Sequence, residues 1–293
     1  MKGPFLHSAP YPPNPDRRPP RYERRVKVPV GWCVERLFAP LARWDVRELL
    51  TPEIAVPIRG LAPAFAGYRI ALITDLHHGP CVPFTWLHQV AARAAALAAD
   101  LIVLGGDFVS HVRADCDGLD RALAEFRAPD GVVAVLGNHD HWVDPDYVTA
   151  IVRGAGVHVL INEHRVVRRG TAAVAVAGTD DFTHGATRVD RALDGIPGDV
   201  PRILISHNPD LIEYLPAGAR VDLMLSGHTH NGQVHFPLVG PLTVPSQFGR
   251  KYLHGLKQHG DTRIYISAGV GTVSIPFRWG NPPELPVIRL EAA

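Results

Sequence analysis

Five apolar runs in this chain end in residues that bind metals, and this recurrence constrains the fold more than any other feature. Arg69–Gly79 carries Asp75 and His77 at its end, and Leu101–Asp107 ends in Asp107. Gly131–Asp140 leads to Asn138, His139 and Asp140, and Arg202–His207 ends in His207. Leu223–Gln233 delivers His228 and His230 just past Ser226 and Gly227, small residues that let the chain turn there. A lone His-x-His pair would mean little in a chain with 16 histidines. Five strand-like runs ending only in oxygen and imidazole donors mean more, because open α/β sheets gather ligands outside the carboxyl ends of their strands.

The segments between these runs set the topology. Phe84–Ala98 is alanine-rich and helical in pattern, with Trp86, Val90 and Leu97 as core contacts. Leu119–Phe126 and Tyr147–Arg153 read as further helices. Strand, helix, strand at this spacing implies right-handed crossovers and a parallel sheet. Glu53–Ile58 reads as an edge strand, since Pro57 has no amide to give to a ladder. Arg165–Arg169 and Ala172–Ala177, separated by Gly170 and Thr171, read as a hairpin, so pairing changes to antiparallel. The expectation is a second sheet facing the first, helices outside, with Ile264–Ser267 and Val287–Leu290 completing that second sheet.

Asp75 and His77, Gly106 and Asp107, the run Gly137 to Asp140, His207, and the run Gly227 to His230 together resemble the signature of the calcineurin-like metallophosphoesterases. The resemblance spans about Gly67 to Asn231 in motif order. Gly178–Asp181, Ser206–Asp210 and Phe277–Glu284 are similar to a bacterial phosphodiesterase branch of that family, often membrane-associated. Asn231 departs from that branch, which usually has glycine after the His-x-His. The resemblance implies a four-layer α/β/β/α sandwich with two mixed sheets. It also implies that Asp75, His77 and His230 hold one divalent ion, that Asn138, His207 and His228 hold another, and that Asp107 bridges them.

The residues alone support the coarser part of that picture. Seven donors without sulfur suit Mn, Fe, Zn or Mg, with Mn foremost, and exceed the needs of one ion. Two ions about 3.5 to 4 Å apart can share a hydroxide and clamp a phosphoryl group. His139 adjoins a ligand yet is left over from the ligand count, which makes it the candidate general acid. Asp140 could orient it; the alternative orienting position, three residues past Asp107, is Ser110 here where some relatives carry Asp. Among the remaining charged residues, Arg250, Lys251 and Arg278 are candidate partners for an anionic substrate, with solvated surface as the simpler reading. Asp180 and Asp181 read as pocket or turn residues, and Asn208 reads as a cap. His78, His111, His141 and His235 read as rim or packing residues, with His78 and His111 the candidates for substrate contact. The expected activity is hydrolysis of a phosphodiester or pyrophosphate bond through a metal-bridging hydroxide. A phosphomonoesterase or nuclease of the same fold, or a scaffold without turnover, are the alternatives.

Composition limits the surroundings. The 293 residues are 46% hydrophobic and 20% charged with net charge +1, values of a globular chain with no overall steering field. Residues 1–47 nevertheless hold ten Lys/Arg against four Asp/Glu, leaving the rest slightly acidic, which argues against specific nucleic-acid binding. Cys33, Cys81 and Cys116 are an odd number without CxxC spacing, so neither a disulfide framework nor a thiolate zinc site is expected. No apolar run reaches the roughly 18 to 20 residues of a bilayer span, and no signal peptide is evident, so a cytoplasmic location is expected. Eight prolines in residues 1–30 make that stretch disordered or extended by expectation. Val34, Leu37, Phe38 and Leu41 then mark a short amphipathic helix interrupted near Pro40. That helix either packs on the catalytic domain or meets anionic lipid as an interfacial anchor. The expected division is a basic leader with this helix over residues 1–50 and a catalytic domain over 51–293. A lipid-linked or envelope substrate, with peripheral membrane contact through residues 1–47, is the accompanying expectation.

Overall fold

A computed structural model describes residues 28–241 and 243–293, so most of the proline-rich stretch expected to be disordered or extended over residues 1–30 lies outside the described residues, and its last three residues instead open a helix. Helix α1 (Val28–Phe38) passes through a 3₁₀ turn at Ala39–Leu41 and leads to strand β1 (Glu53–Ile58). Then follow β2 (Arg69–Ile73), α2 (Phe84–Ala96), β3 (Leu101–Leu104), α3 (Leu119–Leu123), β4 (Val132–Ala134), α4 (Asn138–Val143), α5 (Pro145–Gly154) and β5 (His158–Val159). The second half runs through β6 (Glu163–Arg169), β7 (Ala172–Gly178), α6 (Val189–Leu193), β8 (Arg202–Ile205) and β9 (Leu223–Ser226). It closes with a small hairpin of β10 (His235–Phe236) and β11 (Gly240–Pro241), then β12 (Gly255–His259), β13 (Thr262–Ile266) and β14 (Val287–Ala292).

Two six-stranded mixed sheets form, in the orders β1-β14-β2-β3-β4-β5 and β12-β13-β9-β8-β7-β6. Period-two alternation decides how they stack. Ile70 and Leu72 on β2, Leu101 and Val103 on β3, Ile203 and Ile205 on β8, and Leu223 and Leu225 on β9 enter one buried cluster between the sheets. The alternate residues Ala71, Ile73, Ile102 and Leu104 face away, into a cluster with Trp86, Leu87 and Val90 of α2 and Val148 and Val152 of α5. On the far side Leu204, Met224 and Ile264 meet Val189, Ala192 and Leu193 of α6. The four-layer α/β/β/α sandwich follows directly from these three clusters.

The edge strand containing Pro57 is observed as β1, and the expected hairpin is the antiparallel pair β6 and β7. One strand departs from expectation. β14 does not complete the second sheet but enters the first, antiparallel to β2 and parallel to β1, where Ile288 and Leu290 fill the inter-sheet core. Its insertion caps the ligand-bearing run β2-β3-β4 on one side. α1 and its interruption before Leu41 are observed, but the docked face is not the apolar one. Leu37 is 73% exposed and Leu41 64%, while Glu35 is fully buried.

This arrangement separates two substitutions that look alike in sequence. Ile205→Ala, between the sheets, is expected to lower unfolding free energy by about 2–5 kcal/mol. Leu37→Ser is expected to stay within about 0.5 kcal/mol of the parent in denaturant titration. Comparable losses in both would contradict the outward placement of Leu37.

Candidate metal centre

The C-terminal ends of β2, β3 and β4 abut those of β8 and β9, and Asp75, His77, Asp107, His207, His228 and His230 are brought together at that seam, while Asn138 opens the helix that follows β4. Their backbones are unusual. Asp75, His77, Asp107, His228 and His230 all have positive φ, between 47° and 71°. This left-handed region is strained for residues with a Cβ, and the types that tolerate it best include Asp, His and Asn. Such a run of left-handed residues turns each chain sharply past its strand so that the side chains point back into the seam. Glycine makes the close approaches possible. Gly106, itself at φ 93°, would place a Cβ 2.7 Å from Gly137 N, and a Cβ on Gly137 would lie 2.2 Å from Asp107 Oδ1.

The donors form two groups that meet on one carboxylate. In the first, His230 Nε2 lies 3.0 Å from His77 Nε2 and 3.3 Å from Asp75 Oδ1. In the second, His207 Nε2 lies 3.1 Å from Asp107 Oδ2 and 3.3 Å from His228 Nδ1. Asp107 Oδ2 is also 3.5 Å from His77 Nε2, which joins the two groups. Two ligands bonded at about 2.1 Å to one ion, at octahedral to tetrahedral angles, lie about 3.0 to 3.4 Å apart. The shortest separations match that spacing. Asn138 Oδ1 and His77 Nδ1 are buried without a hydrogen-bond partner, and Asn138 directly precedes His139, whose amide donates to Asp107 Oδ1 at 2.8 Å. The residues therefore fit divalent ions in oxygen and nitrogen coordination.

Electrostatics agree with this. Burial holds His77 and His230 well below the usual imidazole range and pushes His228 down to about 4, so all three keep free lone pairs at neutral pH. His207 behaves differently. Its Nδ1–H donates to the Gly105 carbonyl at 2.9 Å, which fixes the tautomer, and although burial opposes its charge, Asp107 raises it to about 10. Burial works against the Asp107 charge as well, but His207, His139 and His77 hold its carboxyl well below the usual range. Burial pushes Asp75 up to about 6. Without metal, the centre is thus an Asp107–His207 ion pair among neutral imidazoles.

His139 sits at the edge of both groups, its ring 4.6 Å from that of His77, and it also falls within donor reach of His77 and Asp107. Its Nδ1–H donates to the Ser110 carbonyl, so only Nε2 is left to face the seam. Burial pushes it down to about 4, away from the unperturbed value that its role as acid suggested. The expectation that Asp140 orients His139 is corrected by the geometry. Asp140 accepts from the backbone amides of Gly137 (2.8 Å), Asp107 (3.0 Å) and Phe108 (2.9 Å), tying two ligand loops together. The orienting acceptor for His139 is a backbone oxygen of Ser110.

Other residues divide clearly. Arg278 reaches the centre: Nη2 lies 3.4 Å from His230 Nδ1 and donates to the carbonyls of Ala268 and Gly271, and Nη1 is buried without a partner. Arg250 and Lys251 do not, being engaged by the Val239 carbonyl and by Glu213. Asp181 accepts from Thr183 N and His184 N in a local turn, Asp180 receives His141, and Asn208 caps with Asp210 N. His78 pairs with the Asp115 carbonyl and His235 with that of Asn231. Cys81 is a buried thiol pushed up to about 12 by burial and lies outside the donor groups. Asn231 sits at φ 48° and is held through Asn281, so it occupies a left-handed position that glycine would fill without strain. Sequence reading missed Thr74, whose hydroxyl donates to Asp75, and Glu35; the signal for Glu35 was a lone acid in an apolar and basic helix.

The sequence model described as calcineurin-like phosphoesterase matches residues 68–232, more than half of the chain. The chain belongs to this family. As a calcineurin-like phosphoesterase it is a metal-dependent phosphoester hydrolase with candidate His and Asp metal clusters. It is 30% identical over 229 residues to the Escherichia coli protein named Phosphodiesterase YaeI, covering 77% of this chain and 83% of that one. It is 29% identical over 249 residues to the metallophosphoesterase YkuE of Bacillus subtilis, covering 83% and 85%. A bovine transmembrane protein with a metallophosphoesterase domain is 29% identical over 256 residues, and the match spans 82% of this chain but 56% of that protein. Among the described residues of this phosphoesterase, no helix is long and apolar enough to cross a membrane.

Metal uptake is expected to release a proton, because His207 Nε2 must lose its hydrogen to become a ligand. Calorimetric titration of metal-free protein in two buffers of different ionisation enthalpy measures that release. Affinity should weaken as pH falls, by about tenfold per unit while one proton is displaced. Uptake without proton release at neutral pH would contradict the Asp107–His207 pair.

Proposed function

We propose that the protein hydrolyses a phosphodiester or pyrophosphate bond with two divalent ions. Asp75, His77 and His230 would hold one, Asn138, His207 and His228 the other, with Asp107 shared. The observation that carries this reading is the meeting of both donor groups on Asp107 with His139 Nε2 at their edge. When bound, the ions supply Lewis acidity, charge for the phosphoryl oxygens and a nucleophile derived from water at neutral pH. The chain supplies the rest. His139, its Nδ1–H fixed on Ser110, passes a proton at Nε2 to the departing oxygen, which matters most for a poor alkoxide leaving group. The phosphoryl anion favours the cationic imidazole and so opposes the effect of burial on His139. Arg278 Nη1, buried and otherwise unpaired, is available to a non-bridging phosphoryl oxygen. Asp140 acts on the loops of Asp107 and Asn138 as a positioning residue.

A lipid-linked or envelope substrate, reached from a cytoplasmic and peripheral position, is the finer part of the proposal. It is supported by the outward apolar face of α1, with Val30, Leu37 and Leu41 exposed, following a leader rich in Lys and Arg. Phe236, Leu238, Phe277 and Trp279 add exposed apolar surface around the loops that hold His230. In this proposal residues 51–293 act as the catalytic domain and residues 1–50 as its leader, with manganese as the working metal.

Hydrolysis of bis-p-nitrophenyl phosphate beside p-nitrophenyl phosphate tests the reading, using chelated and then manganese-reconstituted protein. The diester should be preferred, and activity should return only with metal. On methyl phenyl phosphate, a diester with a poor leaving group, His139→Ala is expected to lower kcat by about 10²–10⁴, with a much smaller loss on the p-nitrophenyl esters, and Asp107→Asn is expected to abolish metal-dependent turnover on all of them. Arg278→Ala should raise KM by about tenfold or more. Preference for the monoester, or full activity of His139→Ala on methyl phenyl phosphate, would overturn the proposal.

A further inference from the structure

Helix α1 is fitted to the metal centre through its least apolar side. Gly31 and Glu35, one helical turn apart, both face inward. A Cβ on Gly31 would stand 2.2 Å from His111 Nε2, so the helix backbone lies directly on that imidazole. Glu35 is fully buried. Its Oε1 accepts from Ser274 N at 3.1 Å and lies 3.3 Å from Ser110 Oγ. Its Oε2 faces His111 Nδ1 at 3.5 Å, and neither of these two atoms has another partner.

These contacts lead to His139 by two routes. Ser110, touched by Glu35 through its hydroxyl, provides the carbonyl that accepts from His139 Nδ1. His111, touched through its Nδ1, packs edge-on against the His139 ring with centroids 5.3 Å apart. A buried carboxylate is costly to keep, and an apolar residue of similar size would dock the helix at lower cost. A merely structural helix therefore has no use for this group, whereas a helix that must fix the Ser110–His111 segment does. Asp115 already accepts from the His111 amide at 2.8 Å and so holds the main chain of this segment locally, and the Ser110 hydroxyl also lies 3.1 Å from the His77 carbonyl; what α1 adds is a carboxylate facing the side chains of both Ser110 and His111.

We propose that Glu35 is a positioning residue for proton transfer at His139, so that α1 completes the active site by fixing the Ser110–His111 segment that aims the imidazole. The inference rests on the reading of His139 as the group that gives the proton to the leaving oxygen. It assigns a task to the first described helix beyond any contact with a surface.

The test compares zinc-reconstituted native protein with Glu35→Gln, Glu35→Asp and Gly31→Ala, all as full chains. Two substrates are used: methyl phenyl phosphate, whose phenolate needs a proton to leave, and methyl p-nitrophenyl phosphate, whose leaving group departs without one. In Glu35→Gln, kcat on the phenyl ester is expected to fall about tenfold or more, with less than about threefold loss on the p-nitrophenyl ester and KM within about twofold. Glu35→Asp, which keeps a carboxyl group, should recover part of the loss, and Gly31→Ala, which pushes α1 away from His111, should reproduce it. Bound zinc should be unchanged. In spectra of protein labelled with ¹⁵N-histidine, the His139 Nδ1–H resonance should shift or be lost to exchange in Glu35→Gln, while that of His207 stays in place. Equal losses on both esters, or an unmoved His139 resonance, would overturn the proposal. Should native protein cleave neither ester, the phosphodiester reading fails on its own, and the imidazole spectrum still decides the role of Glu35.

Discussion

The carboxylate of Asp107 is the constraint on which the site depends. It is 2% exposed, at a depth where an unpaired charge is strongly disfavoured. It is tolerated because imidazoles surround it: His207 at 3.1 Å, His77 at 3.5 Å, and His139, whose backbone amide donates to Oδ1 at 2.8 Å. Each neighbour comes from a different strand end. Holding one charge therefore requires β2, β3, β4 and β8 to end at the same place, which in turn requires the two sheets to stack with their parallel strands in common direction. Divalent ions would supply the larger compensation, and the paired His207 stabilises the charge in the metal-free protein.

That convergence has a local cost. Five donors occupy left-handed backbone, a conformation worth about 1–2 kcal/mol per residue against L-amino acids. The surrounding layers offset it. Inter-sheet side chains such as Leu72, Val103, Ile205 and Leu225 are essentially fully buried, and Asp140 locks the Asp107 and Gly137 loops to each other by accepting three hydrogen bonds from backbone amides. Rigid layers with strained loop tips give preorganised donors, which is how a metal site keeps its geometry between turnovers.

Much of this was legible in the sequence because the relevant signals are local. Apolar runs identify β2, β3, β4, β8 and β9, and the polar residue after each run identifies the donors. What was not legible depends on tertiary placement. The strand β14 reads as a strand from its composition, but nothing in Val287–Leu290 says which sheet accepts it. The helix α1 reads correctly as helix with a break before Leu41, yet periodicity reports only which face is apolar and not which face docks. Gly31 and Glu35 took the interior, and Leu37 and Leu41 the outside. Asp140 was adjacent to His139 in sequence, and adjacency suggested a contact that the helix start at Asn138 turns away. The acceptor that does orient His139 is a main-chain oxygen, which no residue identity reveals. Asn231 shows the converse: an apparent departure from a glycine pattern that its φ of 48° makes intelligible.

The central claim is that two ions share Asp107. Crystals of manganese-loaded protein measured for anomalous scattering near the manganese edge would test it most directly. The account expects two anomalous peaks about 3.5 to 4 Å apart, one beside Asp75, His77 and His230, the other beside Asn138, His207 and His228, with Asp107 touching both. A single peak at full occupancy, or two peaks with Asp107 bound to only one, would contradict it.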